Sequence, residues 1–265
     1  MLKRLVRSTA TRLLKPVVRA VYLRTGTSRR IMFGPLRGMI YRVGPITGLA
    51  AWYSGAEREL QRRFRELVKP GDCVIDAGAN WGVHTLYLSR LVGPHGRVIA
   101  VECYPPALAE LTWHVEANGC ANVRIVQAAL SEGDGQAVFV QGDSASEGKL
   151  LIRGVTPTGA KEAVVKTRSL DSLLDELSTP RPALIKIDVE GAEGRVLSGA
   201  ERVTMLQRPL FLIELHNPEQ DLFVAQWLTT RGYTLERLKP PPILYVDRSW
   251  PAPNGVWGTI IARPK

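Results

Sequence analysis

The chain has 265 residues, 45% of them apolar and 23% charged, and a formal net charge of +10. That length buries a sizeable core, as one large α/β domain or two smaller ones. The composition excludes wholesale disorder, and no run reaches the ~18 uncharged apolar residues of a spanning helix. Three cysteines, Cys73, Cys103 and Cys120, lack CxxC spacing, which argues against a disulfide framework or a cysteine zinc site and fits a reducing, cytoplasmic setting.

The charge is lopsided. Residues 1–56 hold eleven Lys and Arg and no acid, and the first acid is Glu57. The rest of the chain is near neutral, which argues against a protein that mainly grips nucleic acid. We therefore divide the chain into a basic extension, 1–56, and a body, 57–265. Residues 2–23 read as a basic amphipathic helix, with Leu14, Val17, Val18 and Val21 at helical spacing and Pro16 breaking the run. Such an arm, over residues 1–30, suits peripheral contact with an anionic inner membrane surface or an acidic substrate, or simple packing on the body. An Arg-rich transit segment has the same composition.

Over residues 31–48, punctuated by Gly34, Gly38, Gly44 and Gly48, short apolar runs at Ile31–Phe33 and Met39–Val43 predict a small hairpin or meander. Residues 56–68 predict a helix with Leu60, Phe64 and Leu67 on one face, stopped by Pro70-Gly71. From residue 72, strands at Cys73–Ala77, Val98–Glu102, Val123–Ala128, Leu184–Glu190 and Leu210–Leu215 alternate with helices at 81–92, 105–118, 169–177, 192–206 and 219–230. Alternation of this kind predicts a parallel sheet covered on both faces. An extra strand pair, Gln136–Gln141 and Ala163–Thr167, flanks a Gly- and Ser-rich loop at 142–159. Tyr233–Leu238 and Trp257–Ala262 lack an intervening helix and predict an antiparallel pair at the sheet edge. The Pro-rich loop between them, 240–253, is placed to cover a site.

The chemistry concentrates at strand ends. Asp76-Ala77-Gly78-Ala79-Asn80-Trp81-Gly82 follows a buried strand and opens a helix, where open α/β sheets bind ligands. Glu102 ends the next strand, and a carboxylate there can hold both ribose hydroxyls. These features suit a nucleoside cofactor, either a dinucleotide or S-adenosylmethionine. The run departs from GxGxxG. An acid at Asp76 would repel a pyrophosphate and suit a sulfonium or ammonium. Strand alternation puts Lys186, Asp188 and Glu190 on one face, and Glu214 and His216 on one face of the following strand. No pair has zinc-ligand spacing, so no metal is expected.

The ordered segments VIDAGANWGVHT, VIAVE, VQAALSE, TRSLDSLL, IKIDVEGAEGRVLSGA and RPLFLIELH resemble the FkbM family of S-adenosylmethionine-dependent methyltransferases, over roughly Glu57 to Leu238. The resemblance implies an α/β, Rossmann-like class I methyltransferase fold, a seven-stranded, mostly parallel sheet with helices on both faces. It also implies O-methylation of a sugar, glycolipid or other small-metabolite hydroxyl. By position it assigns Asp76, Gly78, Ala79, Asn80, Gly82 and Thr85 to the methionine-side turn. Glu102 and Cys103 go to the ribose, Ala129 to Ser131 to the adenine edge, and Glu57 and Asp188 to the cofactor's surroundings. Cys103 departs from the family's usual proline. If the acceptor is a neutral hydroxyl, a base must take its proton. Asp188 or His216 is the expected base, with Glu190, Glu214 and Lys186 orienting the acceptor or tuning that base. Two other readings remain at this level: an NAD(P)-dependent oxidoreductase using the same turn, and a non-catalytic member that binds a membrane or a protein through its arm. The oligomeric state is not legible.

Overall fold

The computed structural model describes residues 27–42, 58–141, 148–151, 162–238 and 258–265. The expected helix at 2–23, Glu57 and the loop at 240–253 lie outside these residues. The chain divides into two units, Met1–Arg58 and Glu59–Lys265. In the first, β1 (Ser28–Arg30) and β2 (Ile40–Arg42) pair antiparallel. The first arm pairs earlier than its apolar run suggested. Arg37 N–H bonds the Gly34 carbonyl and Gly38 N–H bonds Ile31, so Ile31–Phe33 lead into the connecting turn.

The second unit is built on a seven-stranded sheet. Its strands are β3 (Cys73–Ala77), β4 (Arg97–Glu102), β5 (Val123–Gln127), β10 (Pro182–Ile187), β11 (Leu210–Leu215), β12 (Tyr233–Arg237) and β13 (Gly258–Pro264). The order across the sheet is β12-β13-β11-β10-β3-β4-β5. Only β13 runs against its neighbours. The chain leaves β3 toward β4 and β5, then returns to β10 on the other side. This reversal opens a crevice at the carboxyl ends of β3 and β10, where ligands of such sheets bind.

Every residue of Cys73–Ala77 is buried, as expected of a strand covered on both faces. Alternation sorts the two faces. Ile75, Ile99, Ile185, Phe211 and Ile213 pack with residues of α4 (Leu170–Glu176), α5 (Glu193–Ser198) and α6 (Pro218–Thr230). On the other face Ala100 meets Leu111 and Val115 of α3 (Pro105–Ala117). Each fully buried side chain such as Ile99 contributes about 1.5–3 kcal/mol. The remaining helices of the unit are α1 (Arg58–Leu67), whose Phe64 is edge-on to His84 and Tyr87, and α2 (Val83–Val92).

A second sheet, in the order β6-β9-β7-β8, comprises β6 (Ala129–Leu130), β7 (Gly135–Gln141), β8 (Gly148–Leu151) and β9 (Glu162–Arg168). It contains the expected strand pair. It also corrects the loop expected at 142–159, because Gly148–Leu151 pairs antiparallel with β7. The helix expected at 192–206 is α5 followed by a separate wide turn, Val203–Gln207. Asp171 accepts the Arg202 and Val203 N–H groups and so starts that turn afresh. Among the described residues no helix is long and apolar enough to cross a membrane.

Candidate active site

The turn after β3 is a close approach of backbone to backbone. Gly78 has φ 73, and a Cβ there would lie 1.8 Å from the Asp188 carbonyl oxygen. Only glycine tolerates both the left-handed conformation and that contact. The Gly78 and Ala79 N–H groups both donate to Val101 O at 3.0 Å. The turn is thereby pinned between β4 and the segment following β10. Asn80 is also left-handed, with φ 49, a conformation that needs its surroundings to hold it.

Those surroundings include Glu102. Its Oε2 accepts the Asn80 N–H at 2.8 Å and its Oε1 accepts the Tyr104 N–H at 2.7 Å. Burial raises the Glu102 pKa, against the opposing pull of the Tyr104, Asn80 and Cys103 N–H groups. Each carboxylate oxygen has spent one acceptor site on the backbone and keeps capacity for another. The Tyr104 ring stacks on Phe139 at 5.2 Å and 26°.

Beneath the turn lies a buried charge network. Asp76 and Lys186 are register partners on adjacent parallel strands, so their side chains leave the same face. Lys186 Nζ lies 3.0 Å from Asp76 Oδ1 and 3.3 Å from Asp188 Oδ2, and donates to Gly78 O at 3.1 Å. Thr85 Oγ1 donates to Asp76 Oδ2 at 2.6 Å. Burial alone would lower the Lys186 pKa, but the Asp76 and Asp188 carboxylates outweigh it and hold the pKa above its ordinary value. Asp76 and Thr85 are fully buried and face each other and Lys186. Asp76 is thus compensated inside the fold, and its charge cannot by itself discriminate against a pyrophosphate.

Beyond β10 the chain leaves the strand at Ile187, three residues earlier than alternation suggested. Lys186 is on the strand, whereas Asp188 and Glu190 stand on the turn after it. Glu190 has φ 54 and Gly191 φ 99, so the turn swings Glu190 back toward the end of β11. His216, one residue past β11, receives it. His216 Nε2 is 3.5 Å from Asp188 Oδ1 and 3.5 Å from Glu190 Oε2. Its Nδ1 is hydrogen-bonded to Glu193 Oε1 at 2.8 Å. Burial lowers the imidazole pKa, but the Glu193 hydrogen bond and the Glu193, Asp188 and Glu190 charges push it up to about 9.

The structure therefore brings Gly78, Asn80, Lys186, Asp188, Glu190 and His216 to one end of the sheet, with Glu102 beside them. Glu214 is half-buried on β11 and its charge acts on Lys186. Gly82, with φ 88, packs against Leu111. Ala129 and Ser131 are buried at β6, where Ser131 Oγ donates to Glu132. Burial pushes the Cys103 thiol up to about 12, with the Glu102 charge adding to it. Two participants escaped the sequence reading, Tyr104 and Glu193. Glu193 is fully buried, and the only signal for it was an acid in the first turn of the helix after β10. A cavity of about 490 Å³ lies at the opposite end, around Cys73, Arg97 and Val123, and no residue of this cluster lines it.

Known methyltransferases resemble this chain. The model of the methyltransferase FkbM domain matches residues 76–235. A hexuronic acid methyltransferase of Haloferax volcanii is 28% identical over 200 residues, 74% of this chain and 79% of that protein. Methyltransferase 1 of Beauveria bassiana is 25% identical over 192 residues, 64% of this chain and 77% of that protein. The crystal structure of a methyltransferase FkbM from Methylobacillus flagellatus is 18% identical with a TM-score of 0.49. That match covers 77% of this chain, which spans half the length of the protein in that structure.

Proposed function

Because the chain belongs to the FkbM methyltransferase domain family, with the class I methyltransferase fold, we propose that it transfers a methyl group from S-adenosylmethionine to a sugar hydroxyl, free or on a glycolipid. The observation that carries this reading is the juxtaposition of two sites at one sheet end. A nucleoside-type grip at Gly78 and Glu102 lies next to the Asp188, Glu190 and His216 cluster.

The residues present suit the donor. Glu102 has acceptor capacity left for ribose hydroxyls, and the stacked Tyr104 and Phe139 rings offer an aromatic surface. Gly78 and Asn80 shape the turn for the methionine end. When bound, S-adenosylmethionine supplies an electrophilic methyl carbon and leaves with the sulfur's electron pair. The chain's own work is alignment, exclusion of water and removal of the acceptor proton, of which alignment supplies up to ~7–11 kcal/mol in ideal cases. The cluster of Asp188, Glu190 and His216 receives the acceptor hydroxyl. With its pKa pushed up to about 9, His216 already holds a proton near neutral pH. Asp188 or Glu190 therefore takes the hydroxyl proton, and His216 orients them. Lys186 fixes Asp188 from behind, and Glu193 fixes His216.

The acceptor class draws support from the hexuronic acid methyltransferase among the relatives. The basic extension, eleven cations without an acid, brings the enzyme to an anionic membrane surface on the cytoplasmic side, where glycolipid acceptors are available. The test is methyl transfer from labelled S-adenosylmethionine to a panel of glycosides that includes hexuronic acids. An alkali-stable methyl ether is expected. An alkali-labile ester, or no sugar methylated at all, would overturn the hydroxyl reading.

A further inference from the structure

We propose that Asp188, Glu190 and His216 bind one divalent first-row transition-metal ion, with Glu193 and Lys186 holding the ligands in place. The proposal deepens the reading of this cluster as the acceptor side. It rests on that reading for what the ion does, though not for whether the ion binds.

The first ground is spacing. One oxygen from each carboxylate and one imidazole nitrogen lie within 4.8 Å of one another. The two Nε2–oxygen distances of 3.5 Å are long for hydrogen bonds, whose N–H···O mode is about 2.9–3.0 Å. They match two ligands of one ion. Bonds of ~2.0–2.2 Å at octahedral or tetrahedral angles place ligand atoms about 2.9–3.6 Å apart.

The second ground is what stands behind the ligands. His216 Nδ1 is committed to Glu193 Oε1, so Nε2 is the nitrogen presented to the two carboxylates. A carboxylate behind a histidine is the usual support of a metal-binding imidazole. Glu193 is fully buried, and its Oε2 has no hydrogen-bond partner among the described residues. A buried carboxylate left half satisfied is costly, and an imidazole tied to a cation answers that charge. Asp188 is held in the same way, since its Oδ2 faces Lys186 while Oδ1 faces His216.

The third ground is charge. Asp188, Glu190 and Glu193 bring three carboxylates together around His216, and Lys186, which faces Asp188, is already shared with Asp76. A divalent ion on His216 Nε2, in place of an imidazolium proton, brings these carboxylates one more positive charge than that proton does. An imidazole with two carboxylates suits Mn²⁺, Fe²⁺ or Zn²⁺ better than the all-oxygen ions Mg²⁺ and Ca²⁺. The three side chains remain 21–33% exposed, and three protein ligands leave coordination positions open. An acceptor hydroxyl in such a position is made more acidic.

The test uses the full chain, stripped with chelator and dialysed, and titrated with Mn²⁺ at neutral pH. Electron paramagnetic resonance reads the free aqueous signal. One equivalent per chain is expected to vanish from that signal and to return when Zn²⁺ is added. Glu190→Gln and His216→Ala are expected to abolish the uptake, and Glu193→Gln to weaken it ~10–100-fold. Calorimetry with S-adenosylhomocysteine on the same samples reports folding and the donor site independently, so the two readings can fail separately. No uptake by the wild-type chain, with a proton on His216 filling the place of the ion, overturns the metal site. Uptake unchanged in His216→Ala overturns it equally.

Discussion

Replacing Lys186 with methionine tests the buried network from which the site is built. The side chain is 2% exposed and its partner Asp76 is 0% exposed. Methionine keeps the length of the stem and removes the charge. Asp76 is then a buried carboxylate whose remaining hydrogen bond comes from Thr85, and the Gly78 carbonyl loses its ammonium donor. Leaving one partner of a buried ion pair uncompensated costs ~3–5 kcal/mol, against about 0–1 kcal/mol for an exposed pair. In a unit of this size each kcal/mol moves the melting temperature by roughly 2–4 °C, so the variant should melt about 6–20 °C lower. Adding Asp76→Asn removes the stranded charge while keeping an acceptor for Thr85, and should restore part of the loss. Urea unfolding followed by circular dichroism and tryptophan fluorescence measures all four corners of the cycle. A loss below ~1 kcal/mol for Lys186→Met, or a double variant equal to the sum of the singles, would refute the ion-pair account.

Gly78→Ala should destabilise more than Gly82→Ala. The first must displace the Asp188 backbone from 1.8 Å, whereas the second meets the movable Leu111 Cδ1 at 2.7 Å. The left-handed conformation costs each about 1–2 kcal/mol, so thermal melts reporting equal losses would discard the close-approach argument. Asp188→Asn and His216→Ala should each lower kcat by about 10²–10⁴ while leaving S-adenosylhomocysteine affinity within a few-fold. Wild-type turnover with a methylated acceptor would remove both from the mechanism. Deleting residues 1–30 should abolish sedimentation with anionic vesicles, and salt should weaken binding of the intact chain. Unchanged sedimentation after the deletion would reject the membrane arm.

Much of the sheet was legible because its strands are short apolar runs, such as Cys73–Ala77, whose burial on both faces leaves a continuous hydrophobic signature. The turn at Gly78 and the acid at Glu102 were legible because each follows directly on such a strand. Features that depend on contacts between distant segments were harder to read. β8 escaped because a four-residue strand in a Gly- and Ser-rich stretch carries too little periodicity. Period-two alternation was carried past Ile187 to Glu190, although Glu190 and Gly191 have positive φ. The strand reading thus put Lys186, Asp188 and Glu190 on one face, whereas the turn divides them between a buried network and the acceptor side. Asp76 was read as a ligand-facing acid because its partner Lys186 is 110 residues away in the sequence. Asp188, Glu190 and His216 were legible one by one as acceptor-side candidates, but zinc-ligand spacing could not show that they meet, because two separate strands bring them together. Glu193 was hidden for the same reason.

Calorimetric titration with S-adenosylhomocysteine and with NAD, on the wild-type chain and on Glu102→Gln, tests the donor site most directly. The account predicts that S-adenosylhomocysteine binds and NAD does not. Glu102→Gln should weaken S-adenosylhomocysteine by about 1.5–3 kcal/mol, roughly 10- to 150-fold, the worth of hydrogen bonds to a charged acceptor. Binding of NAD with none of S-adenosylhomocysteine, or full affinity in Glu102→Gln, would contradict it.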